Sequence, residues 1–117
     1  MSDARRALGA LGERLAAQAL AARGLRLVER NARTRYGELD LVCRDRGGYV
    51  FVEVKTRRAT SFVAAAEAVD RRKVARLTVL GEAWLALHGE RAAAWRLAVV
   101  ALTIGEGPPR VEVLDVD

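Results

Sequence analysis

GELDLVCRDRGGYVFVEVKTRR, residues 37–58, decides the fold. Without its central RDRGG it leaves two short runs rich in Leu, Val and Phe, each of strand length and bounded by turn residues. Glycine tolerates positive φ, so Arg46-Gly47 suits a tight hairpin turn. A two-residue turn there makes paired residue numbers sum to 93, and a four-residue loop closed by Arg44 and Tyr49 gives the same sum. In that register Asp40 lies opposite Glu53, Glu38 opposite Lys55, and Val42 opposite Phe51. Strand alternation places these six on one face. Leu39, Leu41 and Cys43 then join Val50, Val52 and Val54 on the other, an apolar surface for a helix to cover.

The first of those faces poses an electrostatic problem. Cross-strand Cβ atoms are about 4.5–5.5 Å apart, and like charges directly opposite destabilise a sheet. The repulsion between Asp40 and Glu53 can be offset by Lys55 and nearby arginines, by protonation of one carboxyl, or by a divalent cation. Two hard oxygen ligands suit Mg²⁺ or Mn²⁺, with waters and a phosphate completing the octahedron. Lys55 follows Glu53 on the same face. A divalent cation with a lysine beside the phosphate serves in-line phosphodiester hydrolysis. The plain alternative is a solvated polar sheet face with no chemistry, and a one-residue slip in register would separate Asp40 from Glu53.

Outward from the hairpin, the chain reads α-β-β-β-α-β-β, an α/β sandwich with a mixed sheet. Ser2 or Asp3 caps a helix running to about Arg23, with Gly24 as its stop. Leu8, Leu11, Leu15 and Ala19 form its apolar stripe, and Glu13 falls at the edge beside Gly9, Ala16 and Leu20. Residues 25–31 are a first strand, followed by a basic loop, ARTRYG. TSFVAAAEAV is ambiguous between loop and a helical turn. Asp70 caps a second helix to about His88, with Val74, Leu77, Leu80, Trp84 and Leu87 on one face and Gly89 as its stop. Residues 95–104 read as a buried strand and 110–116 as a final edge strand.

Composition bounds the function. A chain of 117 residues, 51% apolar, suits one domain over its whole length with a real core. No run reaches the length of a membrane span and the first residues lack a signal-peptide layout, so a soluble, cytoplasmic protein is expected. One cysteine, Cys43, and one histidine, His88, exclude an internal disulfide and a Cys/His zinc cluster. The net charge is +5, and residues 1–35 alone carry eight arginines against three acidic residues. Such a patch favours polyanions, nucleic acid foremost, unless it is simply a solvated arginine-rich surface. Tyr36 and Phe62 are candidates for base stacking, while Trp84 and Trp95 suit the core. Cys43 reads as a buried small hydrophobe and His88 as a helix-end cap. Glu38 suits a pair with Lys55 or Arg57.

GELDLV, a hairpin and VFVEVKTRR resemble the D-(12 residues)-E-x-K signature of the PD-(D/E)xK nuclease superfamily. More closely, the chain is similar to the YraN-type family of small predicted bacterial endonucleases, related to Holliday-junction resolvases. LGERLAAQAL in the first helix, RN before the basic loop, and EAV followed by RRKVARL extend the likeness over most of the chain. The resemblance implies a restriction-endonuclease-like α-β-β-β-α-β core, a mixed central sheet flanked by helices. It implies a Mg²⁺- or Mn²⁺-dependent endonuclease acting on branched or structured DNA, with Asp40 and Glu53 as metal ligands and the Val54 carbonyl as an extra one. Glu13 would complete or orient the site, and Lys55 would position water and stabilise developing phosphate charge. Arg33, Arg35, Arg57, Arg58 and Lys73 are then contacts to backbone phosphates. By the same analogy the protein would act as a homodimer, without a membrane. Val63 stands where the family usually has glycine, and Ala98 where an acidic residue is common. The rival expectation is a nucleic-acid-binding module that keeps the nuclease fold without hydrolysis. A weaker one is a structural protein whose polar face is a dimer contact.

Overall fold

A computed structural model describes residues 3–59 and 69–116. The cap expected at Ser2, the stacking candidate Phe62, Val63, and TSFVAAAEAV up to Ala68 lie outside the described residues. The element order is α1 (Asp3–Ala22), β1 (Arg26–Thr34), β2 (Gly37–Asp45), β3 (Gly48–Arg58), α2 (Arg71–Leu87), β4 (Trp95–Ile104) and β5 (Arg110–Val116). The strands form one sheet in the order β1-β2-β3-β4-β5. Only β3 and β4 pair in parallel, and α2 is the crossover between them. α1 packs on one face and α2 on the other, which is the expected α/β architecture, compatible with a restriction-endonuclease-like core.

Both helices stop as their glycines require. Gly24, at φ +89°, and Gly89, at φ +67°, take the left-handed conformation. The following N–H groups, of Leu25 and Glu90, reach back to the carbonyls of Leu20 and Leu85, closing Schellman-type ends. Asp70 caps α2, its carboxylate accepting the Lys73 N–H at 2.8 Å.

The β2–β3 hairpin has the expected register. Pairs run from Asp45↔Gly48 to Leu41↔Val52, every one summing to 93. Arg46 and Gly47 form the turn, and the Gly47 N–H donates to the Asp45 carboxylate at 2.8 Å. The faces differ from the expected sorting in two ways. First, Val42 and Phe51 do not lie on an open polar face. They are buried with Tyr49, Leu77, Leu80, Trp84 and Leu97 under α2. The ring of Phe51 meets Trp84 edge-on, centroids 5.9 Å apart. Second, Leu39 does not join Leu41 and Cys43 under α1, but packs with Val42 on the α2 side. β1 is irregular in two places, the first a register shift between Leu27 and Glu29, opposite Val42 and Cys43. Asn31, with φ +49°, falls between the pairs Arg30↔Leu41 and Ala32↔Leu39, across from Asp40. Beyond this left-handed residue Ala32 and Leu39 both lie in the α2 core. β1 continues through Ala32, Arg33 and Thr34, where a loop was expected, and Arg35 and Tyr36 form the turn.

The helix stripes are rotated relative to expectation. In α1 the buried residues are Gly12, Ala16 and Leu20, not Leu8, Leu11 and Ala19. At Gly12 the helix approaches β3 closely: a Cβ there would stand 1.9 Å from the Thr56 hydroxyl. In α2 Leu85 is buried and Leu87 is 65% exposed, the reverse of what the first-face pattern implies for Leu87. Gly81 lets the Phe51 ring lie against that helix. Cys43, Trp84, Trp95 and His88 take the places expected of them. Cys43 is buried, Trp84 and Trp95 pack in the α2 core, and His88 caps α2 with its ring stacked on Trp84.

Candidate functional site

The β2–β3 ladder ends one pair short of Asp40 and Glu53. Beyond Leu41↔Val52 the strands part, and the Asp40 carboxylate takes over as partner of the freed backbone, accepting the Val54 N–H at 2.8 Å. Direct cross-strand opposition of Asp40 with Glu53, and of Glu38 with Lys55, is therefore replaced by a fork. Separating two carboxylates relieves their repulsion, and the side-chain bond keeps the Val54 amide satisfied.

Five elements converge on this fork. α1 brings Glu13, whose proximity to the sheet follows from the neighbouring Gly12–Thr56 approach. β2 brings Glu38 and Asp40, β3 brings Glu53 and Lys55, β1 brings Arg30, and the first turns of α2 bring Lys73 and Arg76. The electrostatics register the crowding. The Asp40 carboxyl is pushed above its ordinary range, chiefly by burial, then by the charges of Glu53 and Glu38, with the Val54 N–H and Arg76 opposing. Glu13 is also raised, first by partial burial and then by Asp40 and Glu38, with Arg30 opposing. Glu13, Glu38, Asp40 and Glu53 thus share one field.

Glu53 is the best neutralised of the four. Its two carboxylate oxygens are taken by α2: Arg76 donates to Oε1, and Lys73 Nζ lies 2.5 Å from Oε2. The Glu53 and Lys73 side chains are only 13% and 17% exposed. Lys73 therefore points inward to a carboxylate, where the resemblance implied a phosphate contact. Glu38 pairs with neither Lys55 nor Arg57 but with its strand partner Arg33, at 3.8 Å. Lys55 is exposed and makes no ion pair among the described residues. Arg57 and Arg58 end β3 beyond it. Arg35 stacks over the ring of Tyr36, which is 61% exposed at the β1–β2 turn. Thr34 braces that turn, accepting from the Tyr36 N–H and donating to the Gly37 carbonyl. Ala98, where the resemblance implied an acidic residue, is buried in the α1 core opposite Val52.

Arg76 and Arg30 were not singled out from the sequence. Lys73 and Arg76 do stand three apart, one turn inside a capped helix, so they had to share a face. Nothing local tied that face to Glu53. Among the described residues no three His, Cys, Asp or Glu side chains stand close enough to hold a metal as a group. The donors at the fork are hard carboxylate oxygens, the type Mg²⁺ accepts, commonly with only one or two protein carboxylates. By donor chemistry Asp40 and Glu53 fit such an ion, with Glu13 beside them.

Comparison with known proteins agrees on one family. The family model described as Uncharacterised protein family UPF0102 matches residues 12–102. That span holds Glu13, Asp40, Glu53, Lys55, Lys73 and Arg76. A UPF0102 protein of Beutenbergia cavernae is 52% identical over 112 residues, covering 95% of each chain. One from Anaeromyxobacter dehalogenans is 48% identical over 110 residues, 94% of this chain and 82% of the relative. One from Rhodococcus jostii is 47% identical over 107 residues, 91% of each. The chain belongs to the UPF0102 family, the YraN-type proteins.

Proposed function

We propose that this protein is a metal-dependent endonuclease that hydrolyses DNA phosphodiester bonds, acting on branched or structured DNA. One observation carries the reading. Glu13, Asp40 and Glu53 come from three elements to the open fork of β2 and β3; burial raises Glu13 and Asp40 first and neighbouring acidic charge adds to each, and Lys55 stands exposed two residues beyond Glu53 on β3. A surface that only bound phosphate would be repelled by such a cluster.

Mg²⁺ or Mn²⁺, held by Asp40 and Glu53, would supply Lewis-acid polarisation of the phosphate. Val54 fixes Asp40 through its N–H, so this carboxylate is oriented before substrate arrives. Glu13 closes the fork from α1. The Lys55 ammonium positions the attacking water and stabilises charge growing on the phosphate oxygens. Water adds to phosphorus, the opposite P–O bond breaks, and the departing oxygen takes a proton, giving a phosphate monoester and a free hydroxyl. Arg33, Arg35, Arg57 and Arg58 hold the flanking backbone phosphates, which orients DNA without reading its sequence.

The neutralised state of Glu53 favours a second reading. Lys73 and Arg76 already balance its charge, as they would in a binding module that had no use for a cation. One assay separates the two. Purified protein is incubated with junction, flap and linear DNA, with Mg²⁺ or Mn²⁺, beside Asp40→Asn and Lys55→Ala. Cleavage by the unaltered protein alone supports the enzyme. DNA binding without cleavage under either metal supports the module, and normal cleavage by Asp40→Asn refutes the metal-site assignment.

A further inference from the structure

The fork contains a contest for one carboxylate. Both oxygens of Glu53 are held by α2, through Lys73 and Arg76, in a pocket that leaves Glu53 and Lys73 little solvent. The same two cations stand at the start of α2, next to Arg71 and Arg72, in the region where a phosphate backbone would meet the proposed site. They cannot serve Glu53 and a phosphate at full strength together. Any cation that binds Glu53 must also take its oxygens from them.

We infer that Glu53 is a latch: it sequesters Lys73 and Arg76 until its charge is neutralised, and their release to backbone phosphate couples cation binding to DNA binding. This rests on the nuclease reading for the identity of cation and polyanion. Its consequence is reciprocal, since a cation that strengthens DNA binding is itself bound more tightly when DNA is present. Lys73 and Arg76 are positioning residues toward Glu53 and become phosphate contacts on release. The latch also keeps an acidic site from repelling DNA at the moment of catalysis, because two positive groups return as the negative charge is cancelled.

The test uses fluorescence anisotropy with labelled four-way junction DNA in EDTA, over a salt series. Glu53→Gln removes the charge and retains the shape. It should bind several-fold tighter than the unaltered protein, with a salt slope steeper by about two, one for each released cation. Glu38→Gln makes the same charge change in the same field, but its one partner is the exposed Arg33, 3.8 Å away, so it should steepen the slope by at most about one. Adding Lys73→Met and Arg76→Met to Glu53→Gln should abolish the gain. Equal gains for Glu38→Gln and Glu53→Gln, or a gain that survives the added changes, would show an effect of net charge only and overturn the latch. Mn²⁺ titration calorimetry without DNA supplies an independent readout. Lys73→Met with Arg76→Met should raise Mn²⁺ affinity by removing its competitors, and unchanged or weaker affinity counts against the latch. If the unaltered protein binds no Mn²⁺ while the Glu53→Gln gain stands, the sequestration of Lys73 and Arg76 survives, and its coupling to a cation falls with the metal reading. If Mn²⁺ binds but Glu53→Gln gains nothing, the latch falls and the metal reading survives.

Discussion

Gly12→Ala is the substitution that joins fold to site most directly. A methyl at this position would stand 1.9 Å from Thr56 Oγ1, 3.0 Å from its Cβ and 3.1 Å from its Cγ2, whereas ordinary contact begins at 3.4 Å. Rotating Thr56 about χ1 cannot clear the clash, because the Cβ itself is already too close. α1 must therefore lift from β3, or β3 must yield. Against this, alanine gains about 1 kcal/mol of helix propensity over glycine. Overpacking of this kind costs about 1–3 kcal/mol. With three crowded atoms, one far inside contact distance, the upper part of that range applies, leaving a net loss of about 1–2 kcal/mol. For a domain of this size each kcal/mol lowers Tm by about 4 °C. Urea denaturation and calorimetry would read the loss. Thr56→Ala in the same chain should recover much of it, because it removes Oγ1 and Cγ2 and leaves only the 3.0 Å contact. The cycle should show a coupling of at least about 0.5 kcal/mol between the two positions. A lifted α1 carries Glu13 away from Asp40, so any DNA cleavage should fall in Gly12→Ala and return with Thr56→Ala. If Gly12→Ala is as stable as the unaltered protein, or Thr56→Ala recovers nothing, the packing account of Glu13 is wrong.

Asp40→Asn should stabilise the fold while abolishing cleavage. The Asp40 carboxyl titrates above its ordinary value, so the folded chain binds the proton more tightly than the unfolded one. Stability is then lost as pH rises from the ordinary carboxyl range, about 4, through the raised value. The asparagine variant should show a higher Tm than the unaltered chain at pH 7 and no advantage below that range, and a lower Tm at pH 7 would contradict this. Asp45 behaves oppositely. Arg96, donating to it at 3.2 and 2.7 Å, holds its carboxyl below the ordinary range. Arg96→Ala should therefore lose stability at neutral pH and converge with the unaltered protein as pH falls through the depressed value, as thermal melts across pH would record. Cys43 is buried and its thiol is pushed up to about 11 by desolvation. It should resist Ellman's reagent at pH 8 in the folded chain and react at once in denaturant, and fast reaction of the native protein would show that the α1 face opens.

Much of this protein is decided by short-range rules. The turn residues Arg46 and Gly47 set a register that held through every pair from Asp45↔Gly48 to Leu41↔Val52. Asp70 started α2 and Gly24 and Gly89 stopped the helices, because caps and left-handed glycines act within a few residues. The E-x-K spacing alone put Glu53 and Lys55 on one strand face. What the sequence could not decide was wherever two distant segments compete for the same space or charge. Leu39 lies in the other core, opposite a stretch of the adjacent strand where Asn31 takes a left-handed backbone. Close contact with Thr56 put Gly12 on the buried line of α1, with Ala16 and Leu20 following it. The ladder stopped before Asp40, whose carboxylate bonds the Val54 N–H across the fork. Lys73 and Arg76 closed on Glu53 across more than a dozen residues of chain. Periodicity reports which face a residue occupies, and only packing reports what that face meets. Here the tertiary fold alone brought α2's cations to a carboxylate that the strand pattern had already placed.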